Sequence, residues 1–378
     1  MSGPGLINVY PPLAPVAALR PRGRAFPFGE PGLRLTHLGR GAVWLALRAL
    51  GLGPGARVAM PAYHCGSEVE AARLAGLEID FYRVDSELRV DEDDLARAAA
   101  GTDAVYAISH FGFPIPAAPA GAPVIEDAAH GLFSTAGGAP LGSRGDAAVF
   151  CPRKSLGVPD GGALLVPDAR ARARVDAWLE GRPRARGLAR STASLAAARA
   201  ALSRIGPLRA TATRLIAGTS RTDAAARAGT LTETVIGEWD LEVADMETAA
   251  APPARLTAAL APRSNPDLIR ARRRANYARL LDEFGERCPE PYRELPDGVC
   301  PLYLPVRAAD RPAATAKLIE HGVRALEVWP VPHPLLDRER FSELEPARRE
   351  LLALPVHQSL EPRHLDAVVR AAKTALTG

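Results

Sequence analysis

Lysine is almost absent from this chain, although basic residues are not. The chain has 47 basic residues, and lysine occurs at only three positions, 154, 317 and 373, so the other 44 are arginine. Lys317 and Lys373 lie in helix-like stretches among other charged residues, where a solvated lysine needs no special role. Lys154 instead follows an apolar, strand-like run and precedes a Gly/Pro turn, in AVFCPRKSLGVPDGG. Arginine occupies almost every other basic position. The lysine at position 154 therefore indicates a chemical role that arginine cannot fill.

Long apolar runs, signal-like segments and clustered cysteines are also missing. No stretch of about 18 residues is free of charges and prolines, so no membrane-spanning helix is predicted. The N-terminus, MSGPGLINVYPPLAP, lacks a basic segment followed by an apolar run, so no secretory signal is predicted. The absence of any CxxC pair argues against a disulfide framework or a zinc site and predicts a cytoplasmic protein. The four cysteines are Cys65, Cys151, Cys288 and Cys300.

Motifs typical of other enzyme classes are absent or have a simpler explanation. The sequence contains no GxSxG, Walker A or HExxH pattern. Four consecutive acidic residues at 91–94 resemble a metal-binding cluster, but acidic side chains also stabilise the positive end of a helix dipole. GRGAVW at 39–44 departs from the dinucleotide-binding GxGxxG pattern at its last position. No metal site is predicted.

The order of predicted elements indicates an α/β fold. At 378 residues and 47% hydrophobic content, the chain is long enough for about two domains. Strand-like and helix-like segments alternate from residue 41 to residue 166, which predicts a large, mostly parallel sheet with helices on both faces. We expect a large domain over residues 1–255. A long helix and a smaller C-terminal α/β domain are expected over residues 256–378.

A strongly basic segment interrupts this alternation at residues 169–227. It contains 13 arginines and three acidic residues, with apolar residues at helix-like spacing, which predicts basic amphipathic helices. Either these helices cover the large domain with solvated arginines, or they form a docking surface for an acidic partner. A phosphorylated substrate, a carrier protein or an anionic membrane face would suit such a surface. Nucleic-acid binding is not predicted, because Trp178 is the segment's only aromatic residue.

Two chemically distinctive residues follow predicted strands of the sheet. Asp127 ends PVIED and Lys154 follows AVFC, and ligands of open parallel sheets gather at the carboxyl ends of the strands. A desolvated lysine amine can form a Schiff base. A buried carboxylate can keep a pyridine nitrogen protonated and electron-withdrawing. An ordinary ion pair between Asp127 and Lys154 explains the two residues equally well.

Two further features are candidates for cofactor contacts. His130 comes three residues after Asp127, one turn on if a helix begins there, and can either orient a cofactor oxygen or pack in the interior. Gly39, Arg40, Gly41 and Ala42 open the first predicted helix. Backbone N–H groups at a helix start form a phosphate cradle when glycines allow close approach. A simple turn with a solvated arginine remains an equal alternative.

In this order the segments resemble the DegT-like sugar aminotransferases, which are pyridoxal phosphate (PLP) enzymes of fold type I. The resemblance spans most of the chain, and its most specific part is the passage from Val124 to Phe150. The matching segments are WLALRALGLGPGARVAMPAY, GLEIDFYRVDSELRVDEDDL, AVYAISHFGFP, VIEDAAHGL…PLGSRGDAAVF and LLALPVHQSLEP.

The resemblance implies roles for individual residues. Lys154 matches the lysine that forms the Schiff base with PLP, which arginine cannot replace because it stays protonated. Asp127 matches the partner of the pyridine nitrogen, and His130 the residue beside the phenolic oxygen. The family's Ser-Gly-Thr phosphate loop reads Leu38-Gly39-Arg40 here. Cys151 stands where a phosphate-binding serine is expected, and Tyr63 or His64 replaces the aromatic residue that stacks on the ring, whose position is taken by Cys65.

The resemblance therefore implies a PLP-dependent aminotransferase with a small-molecule amino donor and a carbonyl acceptor. The acceptor is expected to be a keto-sugar or another carbonyl compound of a biosynthetic pathway. Each active site of such enzymes is completed by the other subunit, so a homodimer is implied. The alternative is a protein of the same fold that has lost amino transfer and acts as a binding or regulatory partner. The altered phosphate loop favours this alternative, whereas Lys154, Asp127 and His130 oppose it.

Overall fold

The structure is a computed structural model that describes residues 6–12, 24–117, 121–184 and 245–377. A seven-stranded sheet lies in the N-terminal part of the chain, and a three-stranded sheet lies in the C-terminal part. The expected mixed α/β fold with a large, mostly parallel sheet is confirmed, and its architecture is that of fold type I PLP-dependent transferases.

The large sheet is parallel in its centre and antiparallel at one edge. Its strand order is β1-β9-β8-β5-β4-β2-β3, and only the pairs β8/β9 and β1/β9 are antiparallel. Central strands read as continuous apolar runs because helices cover both faces, and all five residues of β4 are buried. The strands are β1 Leu33–Thr36, β2 Arg57–Pro61, β3 Glu78–Tyr82, β4 Ala104–Ile108, β5 Val124–Asp127, β8 Ala147–Phe150 and β9 Gly162–Leu165, with a small hairpin of β6 Thr135–Ala136 and β7 Ala139–Pro140.

Helices of the first half begin and end where local sequence signals place them. The first helix ends at Ala49, just before Gly51, which has a φ of 79°. Asp91 caps the third helix by accepting the backbone N–H of Asp94, which explains the acidic cluster as a helix start. The helices are α1 Gly39–Ala49, α2 Ser67–Leu74, α3 Glu92–Ala100, α4 Pro152–Ser155 and α5 Ala169–Leu179.

The C-terminal part packs helices beside an antiparallel sheet of order β10-β12-β11. Asn265 caps the long helix that precedes this sheet. The helices are α6 Met246–Ala250, α7 Arg255–Leu260, α8 Pro266–Phe284, α9 Arg311–Glu320, α10 Glu345–Glu350 and α11 Pro362–Leu376, and the strands are β10 Tyr303–Arg307, β11 Leu326–Glu327 and β12 Leu351–Pro355. Within the described residues, no helix is both long and apolar enough to cross a bilayer.

One local expectation differs from the structure. No helix begins after Asp127, so His130 lies on a turn. Elsewhere, Gly66 is the N-cap of α2 with a φ of 94°, and the Ser67 hydroxyl contacts Glu68.

Part of the basic segment can be placed. Helix α5 forms the first 11 residues of this segment, and two arginines that follow the helix make local contacts. Arg182 stacks on Trp178 and pairs with Glu247, and Arg184 donates to the Pro253 carbonyl. Residues 185–227 lie outside the described residues, and the docking surface expected there stays a prediction.

Candidate active site

Asp127 and Lys154 lie at the carboxyl edge of neighbouring strands. Asp127 is the last residue of β5, between β4 and β8. Lys154 lies on the one-turn helix α4, which follows β8 immediately. Because β4, β5 and β8 run parallel, their carboxyl ends form one edge, where ligands of open α/β sheets bind.

The Asp127 carboxylate is buried and held by two hydrogen bonds. Its Oδ2 accepts the Tyr106 hydroxyl at 2.6 Å, and its Oδ1 accepts the Ala129 backbone N–H at 2.8 Å. Burial raises the pKa of Asp127 to about 6, although the Tyr106 hydrogen bond opposes that shift. The carboxylate therefore gains from any cationic partner that replaces the lost solvent.

The Lys154 amine contacts a histidine rather than the aspartate. Its Nζ lies 3.0 Å from His130 Nε2, and no ion pair joins it to Asp127, both residues belonging to the described part of the chain. Burial lowers the pKa of Lys154, but negative charge on Cys151, Tyr10, Cys65 and Asp127 raises it, so it lies above its ordinary value when those groups are ionised. The simple ion pair is therefore not the arrangement of this site.

The start of α1 supplies a loop beside this edge. Gly39 and Arg40 are half-buried. Gly41 packs so tightly on α6 that a Cβ atom would lie 2.2 Å from the Ala249 carbonyl. The N–H groups of Gly41 and Ala42 both donate to the Leu38 carbonyl. Gly39 and Arg40 are thus better placed than the next two residues to meet a ligand.

Buried polar groups brace this loop from behind. His37 Nδ1 lies 2.7 Å from Asp160 Oδ2, which also accepts the Ala254 N–H, and Asp160 Oδ1 accepts the Thr257 hydroxyl. The Cys151 thiol lies 3.5 Å from where a Cβ of Gly39 would be, which is within van der Waals contact of the loop. Cys151 therefore lies next to the loop, as its predicted role requires.

The two expected ring-stacking residues lie in the interior. Tyr63 is fully buried, donates its hydroxyl to the Val328 carbonyl and packs against His110 and Trp329. His64 is also fully buried and stacks on Phe81. Whether either ring touches a cofactor stays a prediction.

Sequence reasoning missed the aromatic residues that surround His130. Phe111 and Trp329 stack on its imidazole, and Tyr303 meets it edge-on. They come from separate parts of the chain, and no local pattern links them. The motif SHFGFP, in which Phe111 follows a buried strand, was the one signal that pointed to part of this group.

A buried guanidinium holds the turn that carries Lys154. Arg273 of α8 donates from Nη2 to the Ser155 carbonyl at 2.9 Å, and Gln358 donates to the same oxygen at 3.1 Å. Arg273 Nη1 donates to the Pro301 and Leu302 carbonyls, and Arg273 Nε donates to the side-chain oxygen of Gln358. All of these acceptors are neutral, so burial lowers the pKa of Arg273 without compensation from a carboxylate.

The part of the chain that carries this site is similar to a known protein family. Residues 36–188 match the DegT/DnrJ/EryC1/StrS aminotransferase family. The matched range contains Asp127, His130, Lys154 and the loop at Gly39. The resemblance and the enzyme class predicted from the sequence are confirmed by this family match. No relative among the curated proteins matches the chain.

Three solved structures share the fold over nearly the whole chain. The aminotransferase TlmJ from Streptoalloteichus hindustanus is 20% identical with a TM-score of 0.62, covering 98% of this chain and 99% of its own. The sugar aminotransferase CalS13 from Micromonospora echinospora is 19% identical with a TM-score of 0.61, covering 99% and 100%. NtdA from Bacillus subtilis, solved with bound pyridoxamine phosphate, is 18% identical with a TM-score of 0.59, covering 92% and 73%.

Proposed function

We propose that this protein is a PLP-dependent aminotransferase that moves an amino group from an amino-acid donor to a carbonyl acceptor. The observation that carries the proposal is the meeting of Lys154, His130 and Asp127 at one sheet edge, with Lys154 Nζ 3.0 Å from His130 Nε2. The family match at residues 36–188 supports the same activity. A keto-sugar is the acceptor class we favour, because CalS13 is named a sugar aminotransferase.

The residues present suit PLP. Lys154 would hold the cofactor, Asp127 would face its ring nitrogen, and His130 would lie beside its phenolic oxygen. The buried Nε2 of His110 has no hydrogen-bond partner among the described residues, so the site has an unused polar group. When bound, PLP supplies a carbonyl that condenses with amines and a ring that withdraws electrons from the substrate.

Each residue contributes a distinct physical effect. The amine of Lys154 would hold the cofactor and would accept and return the substrate's proton as a general base and acid. Asp127 would favour a proton on the ring nitrogen, because two hydrogen bonds fix the carboxylate and burial favours a cationic partner. Arg273 and Gln358 fix the backbone of the lysine turn through the Ser155 carbonyl.

Arg40 is proposed to replace part of the phosphate binding that a threonine hydroxyl provides in the family. Arg40→Ala should weaken PLP affinity by about tenfold, the effect of one charged hydrogen bond of about 1.5 kcal/mol. The rate at saturating PLP should change little, because Arg40 does not touch the reacting atoms. Arg48→Ala, at the other end of α1, is the control and should leave affinity unchanged. Equal affinities of wild type and Arg40→Ala, measured by fluorescence titration, would favour a solvated turn.

We also propose that the protein is a homodimer, since the resemblance implies that each site is completed by a second subunit. Sedimentation velocity at micromolar concentration should give about twice the mass of one 40.0 kDa chain. A fully active monomer under the same conditions would contradict the proposal.

A further inference from the structure

Two aromatic rings stack on the imidazole of His130. The ring of Phe111 lies at a centroid distance of 6.0 Å and an interplanar angle of 20°, and that of Trp329 at 5.7 Å and 26°. His130 is 5% exposed. With these two stacking partners and almost no solvent, the imidazole has little freedom to rotate. A flip that would interchange the positions of Nδ1 and Nε2 is therefore hindered.

Both stacking residues have a left-handed backbone conformation, which residues other than glycine rarely adopt. Phe111 has a φ of 55° and Trp329 a φ of 48°. Such conformations are strained and persist only when surrounding contacts enforce them. Here the Leu302 N–H donates to the Phe111 carbonyl at 2.8 Å, and Arg348 donates to the Trp329 carbonyl at 3.1 Å.

The unusual backbone of Phe111 has a direct effect on His130. The Phe111 N–H donates to His130 Nδ1 at 3.2 Å. A ring nitrogen that accepts a hydrogen bond carries no proton, and a neutral imidazole has its proton on the other nitrogen. The proton of neutral His130 therefore belongs on Nε2. Protonating Nδ1 as well would set two donors against each other.

The position of the proton on His130 also decides the protonation state of Lys154. His130 Nε2 lies 3.0 Å from Lys154 Nζ. An ammonium group has three donors and no acceptor, so only a neutral amine can accept an N–H from Nε2. We propose that the Phe111 backbone N–H locks His130 in the Nε2–H tautomer, and that this tautomer holds the Lys154 amine neutral. Phe111 and Trp329 are then positioning residues, which act on the lysine through His130.

The surroundings of His130 agree with a neutral ring. Apart from Lys154, the described residues that face it are Phe111, Trp329 and the edge of Tyr303, and His110 lies within electrostatic range. None of these is a carboxylate. Burial lowers the pKa of His130 well below its ordinary value.

The Cys65 thiol would favour an ammonium at Lys154 only if it were ionised, and burial raises its pKa to about 11, so it is uncharged at neutral pH. The Asp127 carboxylate is already hydrogen-bonded to the Tyr106 hydroxyl and the Ala129 N–H. Near neutral pH, burial and the His130 donor therefore favour the free amine.

The functional meaning of this arrangement rests on the proposed aminotransferase activity. A neutral lysine is the nucleophile that a carbonyl cofactor requires. The Nε2–H that faces the amine would remain a donor toward the cofactor's phenolic oxygen. One fixed tautomer therefore serves both partners without proton exchange.

Histidine NMR tests the tautomer directly. The full chain, labelled with ¹⁵N-histidine, contains eight histidines, and the signals of His130 are those lost in His130→Gln. We expect a protonated Nε2 and an unprotonated Nδ1 between pH 6 and pH 9, both with and without added PLP. A protonated Nδ1 or an imidazolium overturns the proposal. The measurement does not depend on PLP binding, so failure of the proposed function is detected separately by a PLP titration.

Lysine NMR tests the amine, and the scarcity of lysine makes the spectrum simple. Labelling with ¹³C-lysine gives three side chains, and Lys154 is the one lost in Lys154→Arg. At pH 8 the neutral fraction of Lys154 in the cofactor-free chain should exceed that of Lys317 or Lys373 by at least about tenfold, which corresponds to one unit of pKa. Lys154 titrating together with the other two overturns this half of the proposal.

Two replacements of Phe111 separate the backbone from the ring. Phe111→Gly removes the ring but accepts a positive φ and keeps the N–H in place, so the tautomer should persist. Phe111→Val also removes the ring, but a β-branched residue resists this conformation, so the N–H should move and both tautomers should appear. Identical tautomers in two folded variants would show that the backbone does not set the proton. If Phe111→Val does not fold, the wild-type spectra alone decide.

Discussion

Replacing Lys154 by alanine should abolish amino transfer and leave the fold intact. The amine is both the attachment point of the cofactor and the group that moves the substrate proton. Loss of general acid–base catalysis alone slows a reaction by about 10²–10⁴-fold. In the wild type, borohydride should fix PLP onto Lys154, which peptide mass spectrometry would locate. In Lys154→Ala the label should disappear, and circular dichroism should be unchanged.

Two further variants make this experiment specific. Lys154→Arg keeps a positive charge but cannot condense with a carbonyl, so it should be as inactive as the alanine variant. Lys317→Ala removes a half-buried lysine of α9, far along the chain from the site, and should behave as wild type. Label on Lys317 or Lys373, or full activity of Lys154→Ala, would refute the assignment. A protein that never binds PLP would instead favour a regulatory role.

Asp127→Asn should leave the cofactor attached to Lys154 and slow the reaction with the amino donor by about 10 to 150-fold. A neutral amide cannot hold a proton on the ring nitrogen, and one buried charge-assisted hydrogen bond contributes about 1.5–3 kcal/mol. Single-turnover absorbance measurements with an amino donor would give the rate. A variant as fast as wild type would show that Asp127 is not the ring partner.

Glu126 provides a matched control on the same strand. Its carboxylate accepts the backbone N–H groups of Gly142 and Arg144, on the other face of β5 from Asp127. Glu126→Gln makes the same chemical change one residue away. It should lower stability somewhat, and the rate with the amino donor should stay at the wild-type value.

Much of the fold was predictable because its signals are local. Continuous apolar runs mark β2, β4 and β8, since both faces of these strands are covered. Strand β1 could not be predicted from its own four residues. It joins the sheet only through antiparallel pairing with β9, whose partner residues lie about 130 positions away.

The site was predictable only in part, for a similar reason. Asp127 and Lys154 follow buried strands, and parallel strands bring their carboxyl ends together. The contact between Lys154 and His130 depends on a turn rather than the helix that the spacing allowed. Phe111 and Trp329 reach His130 through strained backbone that tertiary contacts enforce. Nothing in short stretches of sequence reports such contacts.

The Arg273 and Gln358 contacts have a consequence for how the protein is made. They meet the Ser155 carbonyl across 118 and 203 residues of chain. A ribosome adds about 5–20 residues per second, so the lysine turn emerges roughly 10–40 seconds before its last support. During that interval Lys154 is already synthesised but not yet held in place. Cofactor loading is therefore expected to follow the end of translation, when the C-terminal part has docked.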